Sequence, residues 1–345
     1  MRKRFPNQRI RLMATIREVA QKAGVSVTTV SHVLNQTRFV SKDTEKRVLS
    51  VMQQLNYRPN TLARSLRRGE TFTIGLIIPD SSNPFFAEVA RLIEDKAFNA
   101  AYSTILCNSD NNLEKERQYA EVLLNKQVDG IIFMASGDEI TSIAEVVDRK
   151  IPAVVVDRLL DQIEVDSVIS DNFQGGFLAT QFLLESGYRN IAIIRGPSNV
   201  TPSARRMDGY LQAMHDRCLS IDPSLIKNGD FHPPSGYQAA RELLSQANKP
   251  DAIFACNDLM AIGALKAAYD LGFSVPDDVA IMGYDNIELA SYSQPALSTI
   301  AQPIQSMAER AVRILLERME NPQNPIKREV LSNQILVRSS TRKPA

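Results

Sequence analysis

The chain of 345 residues has no tryptophan, three cysteines and three histidines, and only 6% of it is aromatic. Cys107, Cys218 and Cys256 are widely spaced and odd in number. Neither a disulfide framework nor a CxxC metal pair can be built from them, as expected of a protein kept in a reducing cytosol. No apolar run approaches membrane-spanning length, and the basic start MRKRFPNQRIRL lacks the apolar stretch of a secretory leader. A nucleophile elbow, a P-loop, a dinucleotide fingerprint and metal-ligand spacing are all missing. His32, His215 and His232 are scattered along the chain, and Asp157 with Asp171 would serve a binding cleft as well as an acid–base pair. No catalytic residue, metal, cofactor or membrane partner is expected. The stretch after Arg338 is short and carries no leucine heptads, so it is expected to recruit no further subunits.

Net charge is also nearly absent, at +1, but its distribution is uneven. Of 40 Lys and Arg, 15 fall in the first 72 residues beside four Asp and Glu, leaving 25 basic and 35 acidic residues for the rest. A basic head on an acidic body suits a head that meets polyphosphate.

What the head does contain is a helix pair over residues 16–35, IREVAQKAGVSVTTVSHVLN. Ile16, Val19, Ala20 and Ala23 make one apolar stripe, and Val25, Val30, Val33 and Leu34 a second. Gly24 between them suits the φ > 0 conformation of a helix end, and Ser26 is a good N-cap for the next helix. Such a short turn makes the helices cross steeply, as in a helix-turn-helix, and points Val27, Thr28 and His32 outward, where they can reach base edges. An ordinary packed helix pair is the alternative. Residues 40–55 supply a third helix, capped by Ser41, with Val48, Leu49, Met52 and Leu55 closing a three-helix core. Pro59 then breaks the chain. NTLARSLRR (residues 60–68) can form one more short helix with Leu62 and Leu66 on one face. Alone it is marginal, so it forms against a partner helix and DNA or stays a solvated linker. Residues 1–13 read as a disordered extension or as a basic arm.

From Thr73 the pattern changes to short branched strands alternating with helices. Strands are expected at 74–78, 104–106, 130–134, 153–156, 167–169, 191–194, 252–255 and 279–282, all parallel and buried on both faces. Helices are expected at 86–101, 114–126, 177–186, 204–216, 236–247 and 259–271. Repeated βαβ over this length implies an α/β body of two doubly wound parallel-sheet lobes.

Ligands of such sheets bind beyond the carboxyl ends of the strands. Those ends carry Asn83, Phe85 and Phe86, then Asp157 and Arg158, Arg206, Asn257, Asp285 and, near the last crossover, Gln302. Rings can cover the C–H faces of a polyhydroxylated ligand while Asp, Arg and Asn satisfy its hydroxyls. Each residue also has a plainer reading. Phe85 and Phe86 can be core, Asp157 with Arg158 can be an ion pair between lobes, and Asp171 and Asp258 read as helix N-caps.

Taken together, MATIREVAQKAGVSVTTVSHVLN, RPNTLARSLRRG, the NPFF turn, FACNDLMAIGAL and IMGYDNIELA resemble the lactose repressor (LacI/GalR) family of transcription regulators, from Met13 to about Arg338. The resemblance implies a helix-turn-helix head at 14–58, a hinge helix at 59–70 and an effector-binding and dimerisation body at 71–345. The body would be of periplasmic-binding-protein type I, with an N-lobe of about 72–172 plus 304–331 and a C-lobe of about 173–302 plus 332–340. It implies a cytoplasmic homodimer on near-palindromic operator DNA, read through Thr15, Val27, Thr28, Thr29, Ser31, His32 and Asn35, with Leu66 wedged into the minor groove beside Arg67. Within the family the chain looks closest to ribose and purine repressors. The nine strand-end residues named above match the ribose pattern, apart from Ala135 where an Asn is expected. The purine pattern is met less well. Arg158 stands where purine repressors carry a Trp, and Val200 and Pro202 where they offer an Arg and a Thr. A pentose such as ribose is the first expectation for the effector, a purine or a hexose the alternative. The effector can loosen DNA binding or, as in purine repressors, promote it. A sugar receptor or a sugar-modifying enzyme is the remote rival, opposed by the head and by the missing leader and catalytic groups.

Overall fold

The computed structural model describes residues 14–35, 38–57, 70–134, 137, 139–158, 160, 162–198 and 200–342. The extension read over 1–13, the hinge with Leu66 and Arg67, and Ala135 lie outside them. The chain divides into two compact units, residues 1–71 and 72–345.

The first unit holds α1 (Ile16–Ala23), α2 (Val27–Asn35) and α3 (Lys42–Gln54). Thr15 opens α1 with a capping box: its hydroxyl accepts from the Glu18 N–H while the Glu18 carboxylate takes the Thr15 N–H. Gly24 closes the helix at φ 64, a left-handed conformation that a β-carbon disfavours. Ser26 Oγ then accepts from the Thr29 N–H over 3.0 Å, and Ser41 caps α3 in the same way. Val19, Ala20, Ala23, Val30, Val33, Val48 and Val51 form the core. Val19, Val30 and Val48 have no exposed surface, and burying each is worth about 1.5–3 kcal/mol. One expected core residue is corrected. Leu49 is 48% exposed and Val51 takes its place, because position 49 lies one helical step off the stripe that runs through 48, 51, 52 and 55.

The second unit carries two six-stranded sheets. The first contains β1 (Thr73–Ile78), β2 (Ser103–Asn108), β3 (Gly130–Phe133), β4 (Ala153–Val156), β5 (Asp166–Ser170) and β11 (Arg328–Leu331), in the order β11-β5-β4-β3-β1-β2. The second contains β6 (Ile191–Arg195), β7 (Ile226–Asn228), β8 (Ala252–Ala255), β9 (Ala280–Asp285), β10 (Ser298–Ala301) and β12 (Gln334–Leu336), in the order β12-β10-β9-β8-β6-β7. All pairings are parallel except β10 with β12. The fold is thus the expected pair of doubly wound α/β lobes, and the backbone passes between the sheets near residues 171, 302 and 332.

Four strands escaped the sequence reading. β7 and β12 have three residues each, β11 is half exposed, and β10 begins with Ser298 and Thr299, whose buried hydroxyls are satisfied by Thr341 and Asp258. The expectation of strands buried on both faces fails at β2, an edge strand on which Leu106 is 53% exposed.

Helices α4 (Pro84–Asn99), α5 (Leu113–Asn125), α6 (Thr141–Asp148) and α12 (Ile304–Glu320) accompany the first sheet. The second is accompanied by α7 (Asn172–Glu185), α8 (Thr201–Asp216), α9 (Pro233–Leu244) and α10 (Asp258–Asp270), with a short α11 (Glu288–Tyr292). Helices α7 and α8 meet backbone to backbone at Gly176, where a β-carbon would lie 2.1 Å from the Arg206 carbonyl oxygen. Among the described residues no helix is long and apolar enough to cross a membrane.

Candidate functional site

Two surfaces carry the residues singled out from the sequence. On α2, Val27 is 40% exposed and Thr28 is exposed, while Thr29, Ser31 and His32 are half-buried. Outward presentation therefore holds for the N-terminal turn and only partly for His32, which sits on the flank of the helix. Asn35 is the last residue of α2. The exposed Thr15 hydroxyl is engaged in its capping box.

The second surface is a cleft of about 790 Å³ between the two sheets of the second unit. In each sheet the strand order turns back beside the first strand (β1 or β6), and the loops there supply much of the wall. One side presents Asn83, Phe85, Phe86, Asp157 and Arg158; the other presents Arg206, Asn257 and Asp285. Eight of the nine expected residues therefore meet in one place. Gln302 is not on that wall; its Nε2 donates to Asp285 Oδ1 over 2.8 Å.

Several of these side chains are held by the protein itself. Asn83 caps α4 by accepting from the Phe85 N–H, and Asn257 caps α10 through Met260 N–H while its Nδ2 donates to the Phe231 carbonyl. Asp171 is the N-cap of α7, as expected. Asp258 is not a cap. It is the first residue of α10, fully buried, and its carboxylate accepts from the Ile287 N–H and the Thr299 hydroxyl, tying α10 to the segment after β9 and to β10. Local sequence cannot show this, because the partners lie 29 and 41 residues away. Burial, with Asp285 nearby, pushes the Asp258 carboxyl well above its ordinary range.

On the cleft wall, Asp157, Arg158, Arg206 and Asp285 are charged side chains that are all buried. Arg206 donates from Nε to Asn172 Oδ1 (2.8 Å) and from Nη1 to the Cys256 carbonyl (2.5 Å), with its guanidinium 3.7 Å from the Tyr284 ring centre. Its Nη1 also lies 3.7 Å from Asp285 Oδ1. Burial pushes Asp285 up to about 7 and Asp157 up to about 6; the Arg206 charge opposes both shifts. Phe85 is buried and packs edge-on to the half-buried Phe86, with ring centres 5.2 Å apart; Phe85 belongs to the core as well as to the cleft wall, and Phe86 lines the cleft.

The sequence reading puts Asp80 at the end of the first strand without naming it a ligand residue, and it missed Phe231 and His232 as cleft residues. Phe231, at φ 69, adds a third ring, and His232 Nε2 stands 4.0 Å from Asp80 Oδ2 on the opposite lobe. They sit in loops without periodicity; the strand-end rule flags Asp80, whereas Phe231 depends on recognising three-residue β7. Val200 and Pro202 also line the cleft. Among the described residues no cluster of His, Cys, Asp and Glu can hold a metal ion.

Residues 15–60 match the family model of bacterial regulatory proteins, lacI family, and residues 180–341 that of the periplasmic binding protein-like domain. The HTH-type transcriptional repressor PurR of Pasteurella multocida (strain Pm70) is 40% identical over 310 residues, covering 89% of this chain and 92% of the relative. The lac repressor dimer bound to operator and the anti-inducer ONPF aligns with a TM-score of 0.86 at 27% identity over 95% of this chain and 99% of that one. A LacI family transcriptional regulator from Enterococcus faecium with bound ribose aligns with a TM-score of 0.71 at 32% identity over 79% of this chain and 99% of that one. With the head, the two-lobed body and near-full-length identity in agreement, this chain belongs to the lacI family of bacterial regulatory proteins and is a DNA-binding transcriptional repressor, not an enzyme.

Proposed function

We propose that the protein works as a homodimer whose hold on a near-palindromic operator is set by a small metabolite in the cleft, a pentose such as ribose. Val27, Thr28 and His32 read base edges, assisted by Thr15, Thr29, Ser31 and Asn35, while Leu66 and Arg67 engage the minor groove. Ligand closes the lobes on each other and loosens the hinges, a coupling of about 1–3 kcal/mol in typical cases. One observation carries the sugar reading: four buried charged side chains, Asp157, Arg158, Arg206 and Asp285, converge from both lobes beside the Phe86 ring. Such a wall can satisfy several neighbouring hydroxyls at once.

A second reading, a purine base, has weight of its own. The PurR relative at 40% identity favours it over a pentose, and Phe231 adds a flat face for stacking. Against it stand the buried Arg158 where purine repressors carry a Trp, and the apolar Val200 and Pro202 where they offer an Arg and a Thr. Thermal shift and operator titration with ribose, adenine and guanine separate the two. Stabilisation and operator release by ribose alone supports the sugar; stabilisation and tighter operator binding with a base replaces it with the purine reading.

A further inference from the structure

The described wall of the cleft carries six carboxylates, Asp80, Asp110, Glu139, Asp157, Asp230 and Asp285, against the guanidinium groups of Arg158 and Arg206 and the imidazole of His232. The charges form two layers. The buried layer pairs two acids with two bases, Asp157 and Asp285 with Arg158 and Arg206. The outer layer is acidic: Asp110, Glu139 and Asp230 are exposed, and the Asp80 side chain is 14% exposed. Lys115 balances Asp110, and His232 faces Asp80. The Glu139 and Asp230 carboxylates accept from the Thr141 hydroxyl and the His232 backbone N–H, neutral donors that leave their charge in place.

Within the buried layer, Arg206 gives its Nε hydrogen and one Nη1 hydrogen to the protein and its face to Tyr284, and its remaining N–H groups call for acceptors. Asp157 presents the opposite demand. It is 6% exposed, and its Oδ1 is buried on this wall with no hydrogen-bond partner. An ionised carboxylate oxygen can only accept, so what completes it is a hydroxyl or N–H donor. A phosphate dianion offers only acceptors and brings charge of the same sign as the rim.

We propose that the cleft selects a hydrogen-bond-donating ligand that bears no phosphate or other anionic group, a free sugar or free base rather than a sugar phosphate or a nucleotide. This rests on the cleft being the effector site, and it adds the ligand's charge to that reading. Like charges brought together at a binding site are strongly discriminating, so the ester binds roughly a hundredfold or more weakly than its parent.

Calorimetric titration of the full-length protein with ribose against ribose 5-phosphate, and with adenine and adenosine against adenosine 5′-monophosphate, tests it at low and high salt. The expected result is binding by at least one parent and a loss of roughly a hundredfold for its ester, a gap that narrows with salt and in the Glu139→Gln/Asp230→Asn double variant. An ester that binds as tightly as its parent, or more tightly, overturns the charge selection and leaves the effector cleft standing. Silence from all five compounds overturns the effector reading itself, and the selection with it.

Discussion

Arg206 Nε donates to Asn172 Oδ1 over 2.8 Å, which ties a guanidinium on the cleft wall to the first residue of α7, where the chain has just passed from one lobe to the other. The Tyr284 hydroxyl extends this link. It lies 3.4 Å from the same Asn172 oxygen and accepts from Asn333 Nδ2 over 3.1 Å. Asn333 stands at the last passage between lobes, where its Nδ2 also donates to the Asp171 carbonyl and its N–H to Gln174 Oε1. A ligand that contacts Arg206 is therefore expected to bear on two interlobe passages at once. Tyr284→Phe keeps the ring under Arg206 and removes the hydroxyl. Stability is expected to fall by about 1 kcal/mol, with ligand affinity nearly unchanged and the ligand-induced change in operator affinity reduced several-fold. Paired ligand and operator titrations check this, and an undiminished operator response refutes the link.

Asp285 accepts from Gln302 and lies against Arg206, so its charge is bound up with two partners as well as the ligand. Asp285→Asn is expected to weaken effector binding by more than tenfold and to leave operator affinity in the absence of effector intact. Gel-shift titration of the folded variant is the check; loss of operator binding in a folded protein argues against an effector role.

Ligand binding should depend on pH. Burial raises the folded-state values of Asp157 to about 6 and Asp285 to about 7, from an ordinary 3.8. The protonated acids suit the fold, so their contribution to stability is complete below about pH 4 and is lost as pH rises through 6 and then 7. A hydrogen-bond-donating ligand prefers the ionised carboxylates. Its affinity should thus rise from pH 5 to pH 8, by at most about tenfold per unit for each proton released. Calorimetry across that range decides the matter; an affinity that falls with pH contradicts the assignment.

The exposed Val27 offers an aliphatic group that fits a thymine methyl. Val27→Ala is expected to lower operator affinity by about 1 kcal/mol and to relax preference at a single base position, with non-specific binding unchanged. A binding-site selection experiment reads out that position. Equal losses on specific and random DNA would place Val27 away from the bases.

In the head, the sequence was enough. The helix stripes and the cap and turn residues Gly24, Ser26 and Ser41 are local matters of spacing and backbone preference, and they read correctly except where Leu49 yielded to Val51. In the body, the alternation of branched strands with helices announced two parallel sheets, and the rule that ligands sit at strand ends found eight wall residues, because both depend on chain order alone. Tertiary structure alone decided that Asp258 braces β10 instead of capping a helix, that Gln302 supports Asp285 from off the wall, and that Phe231 and His232 join the cleft. It alone paired Arg206 with Asn172 across 34 residues. These contacts join segments distant in the chain and depend on how the sheets and helices pack, which no local pattern of side chains encodes.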